Sequence, residues 1–189
     1  MIELLYPMQI ARVLRDAEGT RAEEMLPVLD ENGQVVAQMS RSYAHGGAKR
    51  IHPVVHLHLV DRMGRVCLQK RSMSKKLLPG RWDTAVGGHV SYGETIDETL
   101  YREASEELGL TDFNPVLLDT YIYESDIERE MIFVFAAVGN HQLPYANDEV
   151  DELKYWTEEE ISAARGRSIL TPNFESEYDR IHDALFALL

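Results

Sequence analysis

The sequence predicts one mixed α/β domain with a β-hairpin attached near its N-terminus. Three patterns indicate this class. Two β-prone runs, 26–30 and 34–39, flank an Asn-Gly pair, which is a strong hairpin signal. An apolar, β-branched run at 53–60 is followed by a turn and a partner run at 65–70. Residues 95–108 have the period of an amphipathic helix.

The first half of the chain is predicted to contain short β elements joined by turns. Residues 8–16 could form a helical turn or two. His56 and His58 alternate with apolar residues on a strand, so we assign them to one face without a catalytic role. A loop is predicted over 75–80, ended by a Pro-Gly pair. A short strand over 84–88 then runs into two glycines.

The helix over 95–108 has the clearest boundary signals. Thr95 and Glu98 form a capping-box pattern at its start. Gly109 stands where a helix-ending glycine belongs. Both ends of this helix are therefore predicted from local chemistry.

The second half is predicted to contain three strands and two helices. The strands cover 116–123, 131–138 and 149–156. Thr157 caps a short helix that ends at Ala164. Residues 174–189 form the last helix, because their apolar side chains recur at helical spacing.

Length and composition suit a soluble globular protein. The 189 residues contain no repeat or obvious linker, so we predict an extension over 1–25 and a single domain over 26–189. No apolar run approaches the roughly 18 residues of a membrane helix, and residues 1–9 lack a secretion signal. The single Cys67 excludes a disulfide framework and a thiolate zinc cage. We therefore expect a cytoplasmic protein that does not enter membranes.

Charge is distributed unevenly along the chain. The 19 basic and 32 acidic residues give a net charge of −13, which argues against a nucleic-acid-binding face. Residues 62–82 nevertheless contain seven Lys or Arg and no Asp or Glu. This basic segment can attract anions, and Arg71 can clamp a phosphate through paired hydrogen bonds. Lys70, Arg71 and Lys76 are the candidate substrate contacts.

Two carboxylates of the 95–108 helix lie where apolar side chains are expected. The apolar stripe consists of Ile96, Leu100, Ala104 and Leu108. At about 100° per residue, Glu107 falls inside this stripe and Glu103 at its border. Like charges at this spacing repel, and their burial needs a cation. The nearest basic residue, Arg102, points away from Glu107, so Mg²⁺, which takes oxygen ligands, is favoured over an Arg or Lys partner.

The segment from Gly88 to Leu110 resembles the Nudix box, G-x5-E-x7-R-E-U-x-E-E-x-G-U, where U is aliphatic. It reads GHVSYGETIDETLYREASEELGL. The defined positions are filled by Gly88, Glu94, Arg102, Glu103, Ala104, Glu106, Glu107, Gly109 and Leu110. Nine positions at fixed spacing make the signal highly specific.

The resemblance implies a Nudix fold, an α/β/α sandwich around a mixed β-sheet, in which the box forms a loop–helix–loop. It also implies a Mg²⁺ or Mn²⁺ site. The implied metal ligands are Glu103, Glu106, Glu107 and the carbonyl of Gly87. Arg102 and Glu94 would support these ligands from a second layer. Glu149 sits where some family members supply a further acid, and one of these carboxylates or another loop acid would be the base.

A narrower resemblance is to isopentenyl diphosphate isomerase, which shares the Nudix fold. Residues 74–82 and 86–89 carry its pattern. That enzyme holds a metal with three histidines and two glutamates. The matching positions here are His45, His52, His89, Glu128 and Glu130.

One position departs from the isomerase pattern. The isomerase has a catalytic cysteine directly before the Gly-His pair, and this chain has Gly87 there, while Cys67 lies on an earlier strand. Without the thiol, proton transfer at an isoprenoid carbon loses one of its two partners. An intact box instead implies a Mg²⁺-dependent hydrolase that cleaves the pyrophosphate linkage of a nucleoside diphosphate derivative or similar diphosphate.

Two alternatives stay open from the sequence: an isopentenyl diphosphate isomerase-like protein using the His/Glu set, and a non-catalytic nucleotide-sensing module. The expected partner is a small-molecule diphosphate, with no nucleic acid and no membrane. A homodimer through the N-terminal hairpin is compatible with the patterns. Substrate identity is expected to depend on loops and the N-terminal segment rather than on the box.

Overall fold

The computed structural model describes residues 12–14, 23–75, 77–143 and 150–189, in which runs of strands are separated by helices. The N-terminal part contains β1 (Arg12–Leu14), β2 (Met25–Leu29), β3 (Val35–Ser40) and α1 (Arg41–Ala44). The middle part contains β4 (Ile51–Val60), β5 (Val66–Arg71), β6 (Trp82–Thr84), β7 (Val86–His89) and α2 (Ile96–Leu108). The last part contains β8 (Val116–Glu124), β9 (Arg129–Val138), β10 (Val150–Trp156), α3 (Glu158–Ala164) and α4 (Pro172–Phe186).

The strands form two sheets. In the three-stranded sheet, β3 lies between an antiparallel β2 and a parallel β1. The seven-stranded sheet has the order β10-β5-β4-β9-β8, with β6 paired to β5 and β7 paired to β4. β5 is antiparallel to β4, β6 and β10. The predicted mixed α/β class with an N-terminal hairpin is confirmed.

The chain divides into two compact units. The first consists of Met1–Val55, Gly88–Leu100 and Thr120–Phe133. The second consists of His56–Gly87, Tyr101–Asp119 and Val134–Leu189. The prediction of a single domain over 26–189 stays a prediction.

In the first unit, the hairpin of β2 and β3 turns at the predicted Asn-Gly pair. Asp30 Oδ1 accepts hydrogen bonds from the backbone N–H groups of Asn32 and Gln34, both at 2.9 Å. Gly33 has φ +80°, a conformation that glycine adopts without steric strain. The hairpin and α1 bury a small apolar cluster, Leu26, Val28, Ala37, Met39 and Ala44.

The prediction of a helical turn over 8–16 is wrong at residues 12–14, which form β1. Pairing along the edge of β3 satisfies the backbone groups of this segment and overrides the local pattern. The rest of that range lies outside the described residues.

Helix α2 has the predicted caps. The N–H of Glu98 donates to Thr95 Oγ1 at 3.2 Å, and the N–H of Thr95 donates to Glu98 Oε2 at 2.9 Å. At the other end Gly109 has φ +64°, and the N–H of Leu110 bonds the carbonyl of Ala104 at 3.1 Å. Local chemistry therefore fixes the start and end of the box helix.

In the second unit, β5 is buried along most of its length. Cys67 on this strand is fully buried, and burial raises the pKa of its thiol to about 12.

The terminal helix α4 begins at Pro172, two residues before the predicted start, and buries Phe174, Tyr178, Ile181 and Leu185. None of the helices among the described residues is long and apolar enough to cross a membrane.

Thr171 connects the start of α4 to β6. Its hydroxyl accepts a hydrogen bond from the N–H of Phe174 at 3.2 Å and donates to Asp83 Oδ1 at 2.8 Å. The side chain is almost fully buried. Thr171 therefore acts both as an N-cap and as a link between helix and sheet.

We expect Thr171→Ala to lower the free energy of unfolding by about 1–2 kcal/mol, because the cap and the bond to Asp83 are lost together. Urea unfolding followed by circular dichroism measures this change. Thr171→Ser retains the hydroxyl and serves as the control, with the smaller loss of the two. Equal unfolding midpoints for the Ala and Ser variants would contradict the role of the hydroxyl.

Candidate active site

The buried carboxylate of Glu107 lies beside the backbone of Gly87. Glu107 is only 7% exposed, as its position inside the apolar stripe of α2 predicts. Its Oε2 accepts a hydrogen bond from Gln69 Nε2 at 3.1 Å and lies 3.4 Å from the N–H of Gly87. Glu107 and Gly87, both implied as metal ligands, therefore lie next to each other. Gln69 on β5 also belongs to this site, and the sequence did not indicate it.

Arg102 bridges the other two glutamates of the box. Its Nη1 lies 2.8 Å from Glu103 Oε1 and 3.2 Å from Glu106 Oε2. The Glu103 side chain is largely buried, whereas that of Glu106 is exposed. The arrangement suits a residue that orients metal-binding carboxylates, and it also means that two of the three glutamates have an Arg partner.

The box carboxylates fit Mg²⁺ by their chemistry. Carboxylate oxygens are the hard donors that this ion takes, and both donors to Glu107 named above are neutral amide groups. Their oxygens do not form a group of three within 4.8 Å of one another in the described part of the chain.

Other residues predicted for the site have partners of their own. Glu94 Oε2 accepts hydrogen bonds from Thr99 Oγ1 at 2.8 Å and from the N–H of Ser91 at 3.4 Å, so it links the box loop to the first turn of α2. Glu149 and Lys76 lie outside the described residues.

The candidate substrate contacts on β5 are paired within the protein. Arg71 donates from Nε to the carbonyl of Leu77 and from Nη1 to Asp83 Oδ2, both at 3.2 Å. Lys70 Nζ lies 3.8 Å from Glu152 Oε2. Part of the basic segment 62–82 is therefore neutralised by carboxylates outside it, which the local sequence could not indicate.

A second group of metal-binding type lies in the first unit. Ligand atoms of His52, His89 and Glu130 all lie within 4.8 Å of one another. Nε2 of His52 is 3.8 Å and Nε2 of His89 is 3.9 Å from Glu130 Oε1. Three of the five side chains matched to the isomerase set thus converge.

His52 has the protonation state that a metal ligand needs. It is fully buried, and burial lowers the pKa of its imidazole. Its Nδ1 bonds the carbonyl of Arg50 at 3.0 Å, so Nδ1 carries the hydrogen and Nε2 keeps its lone pair. Within the described ranges, no hydrogen-bond donor reaches this buried Nε2.

The remaining two members of the set, His45 and Glu128, are hydrogen-bonded to each other. That hydrogen bond lowers the pKa of the Glu128 carboxyl, against the opposing effect of burial. The ring of His45 lies 5.0 Å from that of His89 between centroids. His45 and Glu128 therefore lie at the edge of the converging group.

His56 and His58 are part of a buried cluster that the sequence did not reveal. Glu177 on α4 accepts from His56 Nδ1 at 2.8 Å and from His58 Nε2 at 2.7 Å. The strand alternation correctly indicated that both histidines share a face. Their partner is more than one hundred residues away in sequence, so no local pattern could identify it.

Comparisons with known proteins agree with this geometry. A family model, the NUDIX domain, matches residues 50–174. An uncharacterized Nudix hydrolase of Yersinia pestis is 30% identical over 168 residues, covering 84% of this chain and 92% of that protein. The isopentenyl-diphosphate Delta-isomerase of Mycolicibacterium vanbaalenii is 29% identical over 137 residues, covering 69% of this chain and 76% of that protein.

A solved structure supports the fold. The crystal structure of DR0079 from Deinococcus radiodurans has a TM-score of 0.73 at 24% identity, covering 84% of this chain and 99% of that one. The family match extends over more than half of the chain and includes the box segment, whose Glu107 lies beside Gly87. The chain therefore belongs to the Nudix family and is a hydrolase that acts on pyrophosphate bonds.

Proposed function

We propose that this hydrolase cleaves the diphosphate of a nucleoside diphosphate derivative or a similar compound in a Mg²⁺-dependent reaction at the box helix. The observation that carries the proposal is the buried carboxylate of Glu107, held by Gln69 beside the backbone of Gly87. A carboxylate is buried at a cost of several kcal/mol unless donors or a cation stabilise it. Its placement within an intact box supports a catalytic use.

The proposed ligand residues are Glu103, Glu106, Glu107 and Gly87. A bound Mg²⁺ or Mn²⁺ would polarise the phosphoryl oxygens and lower the pKa of a water. Arg102 holds the carboxylates of Glu103 and Glu106 through Nη1 and so limits their rotation. A carboxylate of α2, or Glu149, accepts the proton of the attacking water.

The proposed substrate contacts are Lys70, Arg71 and Lys76. Asp83 and the Leu77 carbonyl hold the guanidinium of Arg71 in one orientation, which suits a planar group that binds phosphate oxygens.

The cytoplasmic location, the domain over 26–189 and a homodimer through the N-terminal hairpin rest on the sequence and stay predictions.

We expect Glu107→Gln to lower kcat about 10²-fold or more with Mg²⁺ present, because it removes a buried charged ligand while preserving shape. Phosphate release from a panel of nucleoside diphosphate derivatives, coupled to a phosphatase, measures this. Glu159→Gln removes one exposed charge on α3 and is the matched control, with turnover near wild type. Full turnover by Glu107→Gln, or no cleavage of any diphosphate by the wild type, would reject the proposal.

A second candidate is a metal site formed by His52, His89 and Glu130, with His45 and Glu128 at its edge. The observation that favours it is the neutral, buried imidazole of His52, whose Nε2 faces the other two ligands. Two imidazoles and a carboxylate suit Zn²⁺ or Mn²⁺. The isomerase-type relative supports a functional role for this group.

We expect one equivalent of Zn²⁺ to bind this group and Glu130→Gln to weaken binding at least about tenfold, because one charged ligand is lost. Calorimetric titration of metal-free protein measures it. Glu124→Gln changes an exposed glutamate of the same unit, paired with Lys49, and serves as the control. Identical Zn²⁺ isotherms for wild type and Glu130→Gln would exclude the site.

The isomerase alternative is tested separately. In D₂O with isopentenyl diphosphate, we expect neither the isomer nor deuterium uptake, because Gly87 supplies no thiol and Cys67 is buried with a raised pKa. Mass spectrometry and proton NMR detect both products. Deuterium uptake by the metal-loaded protein would establish isomerase chemistry despite the missing cysteine.

A further inference from the structure

The cluster of His56, His58 and Glu177 is buried, and the function described so far gives it no role. Glu177 is 1% exposed, and both of its oxygens accept hydrogen bonds from imidazoles. Burial raises the pKa of its carboxyl, but the histidines outweigh this and hold it well below its usual range. An ionised, buried carboxylate fixes the orientation of both rings.

The two histidines use opposite ring nitrogens. A carboxylate only accepts, so His56 carries a hydrogen on Nδ1 and His58 carries one on Nε2. For His58, the Nε2 edge also lies 3.4 Å from Thr84 Oγ1, inside the core. For His56, the opposite edge, Cδ2 and Nε2, points away from Glu177.

That edge of His56 lies beside Gly87, on the side where a side chain would attach. A Cβ placed on Gly87 would lie 3.4 Å from Cδ2 and 3.6 Å from Nε2 of His56. The N–H of the same glycine lies 3.4 Å from Glu107 Oε2. Gly87 thus has the imidazole edge of His56 and the buried carboxylate of α2 as neighbours.

We propose that His56, oriented by Glu177, is a positioning residue for the hydrolytic site, which acts by holding the backbone of Gly87 against Glu107. The inference rests on the proposed function of that site. It assigns α4 a role in catalysis, because Glu177 lies on this helix. His58 anchors the carboxylate through Nε2, whereas the three atoms nearest to the Cβ position of Gly87 belong to His56 and Thr84.

Two substitutions separate positioning from simple packing. His56→Asn can still donate to Glu177 from the place of Nδ1 but lacks the Cδ2–Nε2 edge beside Gly87. His58→Gln can still donate from the place of Nε2 and is the matched control. His56→Gln, which reaches toward Gly87 without the Nδ1 donor, is a second variant should the first fail to fold.

The first readout needs neither metal nor turnover. In metal-free, full-length protein labelled with ¹⁵N-glycine, hydrogen exchange of the Gly87 amide reports how firmly this backbone is held. We expect exchange to be about tenfold faster in His56→Asn and His56→Gln and near wild type in His58→Gln. Wild-type exchange in both His56 variants, or an equal increase in His58→Gln, would overturn the inference.

The second readout is kinetic. We expect His56→Asn to lower kcat about 10- to 100-fold with little change in KM, because substrate contacts are untouched while a metal-site ligand loses its support. His58→Gln keeps kcat near wild type. If the wild type cleaves no diphosphate, the proposed function fails, whereas the exchange of the Gly87 amide still decides the positioning role.

Discussion

The burial of one carboxylate, that of Glu107, is the constraint on which the site depends. A helix residue that faces the core is normally apolar, and a charge at that position requires donors from its surroundings. β5 supplies the amide of Gln69, and β7 supplies the N–H of Gly87. The position of α2 is therefore fixed by polar contacts as well as by its apolar stripe.

Local chemistry predicted much of the fold. The Asn-Gly turn, the Thr95 cap and the Gly109 terminus each depend on residues within one turn of one another, and each formed as expected. Partners distant in sequence could not be predicted. The bond of Glu177 to His56 and the pairing of β1 with β3 bring together segments that no local pattern relates.

In the candidate site, too, local features could be predicted from the sequence and contacts between distant residues could not. The helical period of residues 95–108 predicted the burial of Glu107, because a helix converts sequence position into an angle. Spacing did not show that Arg71 pairs with Asp83 or that Lys70 lies near Glu152. The tertiary fold pairs these basic side chains with carboxylates from other segments. The number of basic residues in a segment therefore overstates its positive electrostatic field.

The burial of the single cysteine has a consequence for how the protein responds to oxidants. Peroxides and disulfides react with the thiolate form of cysteine, and only where it can be reached. Cys67 is fully buried and its thiol keeps its proton at any physiological pH. Because Cys67 is the single cysteine of this sequence, the folded protein exposes no thiol to such oxidants.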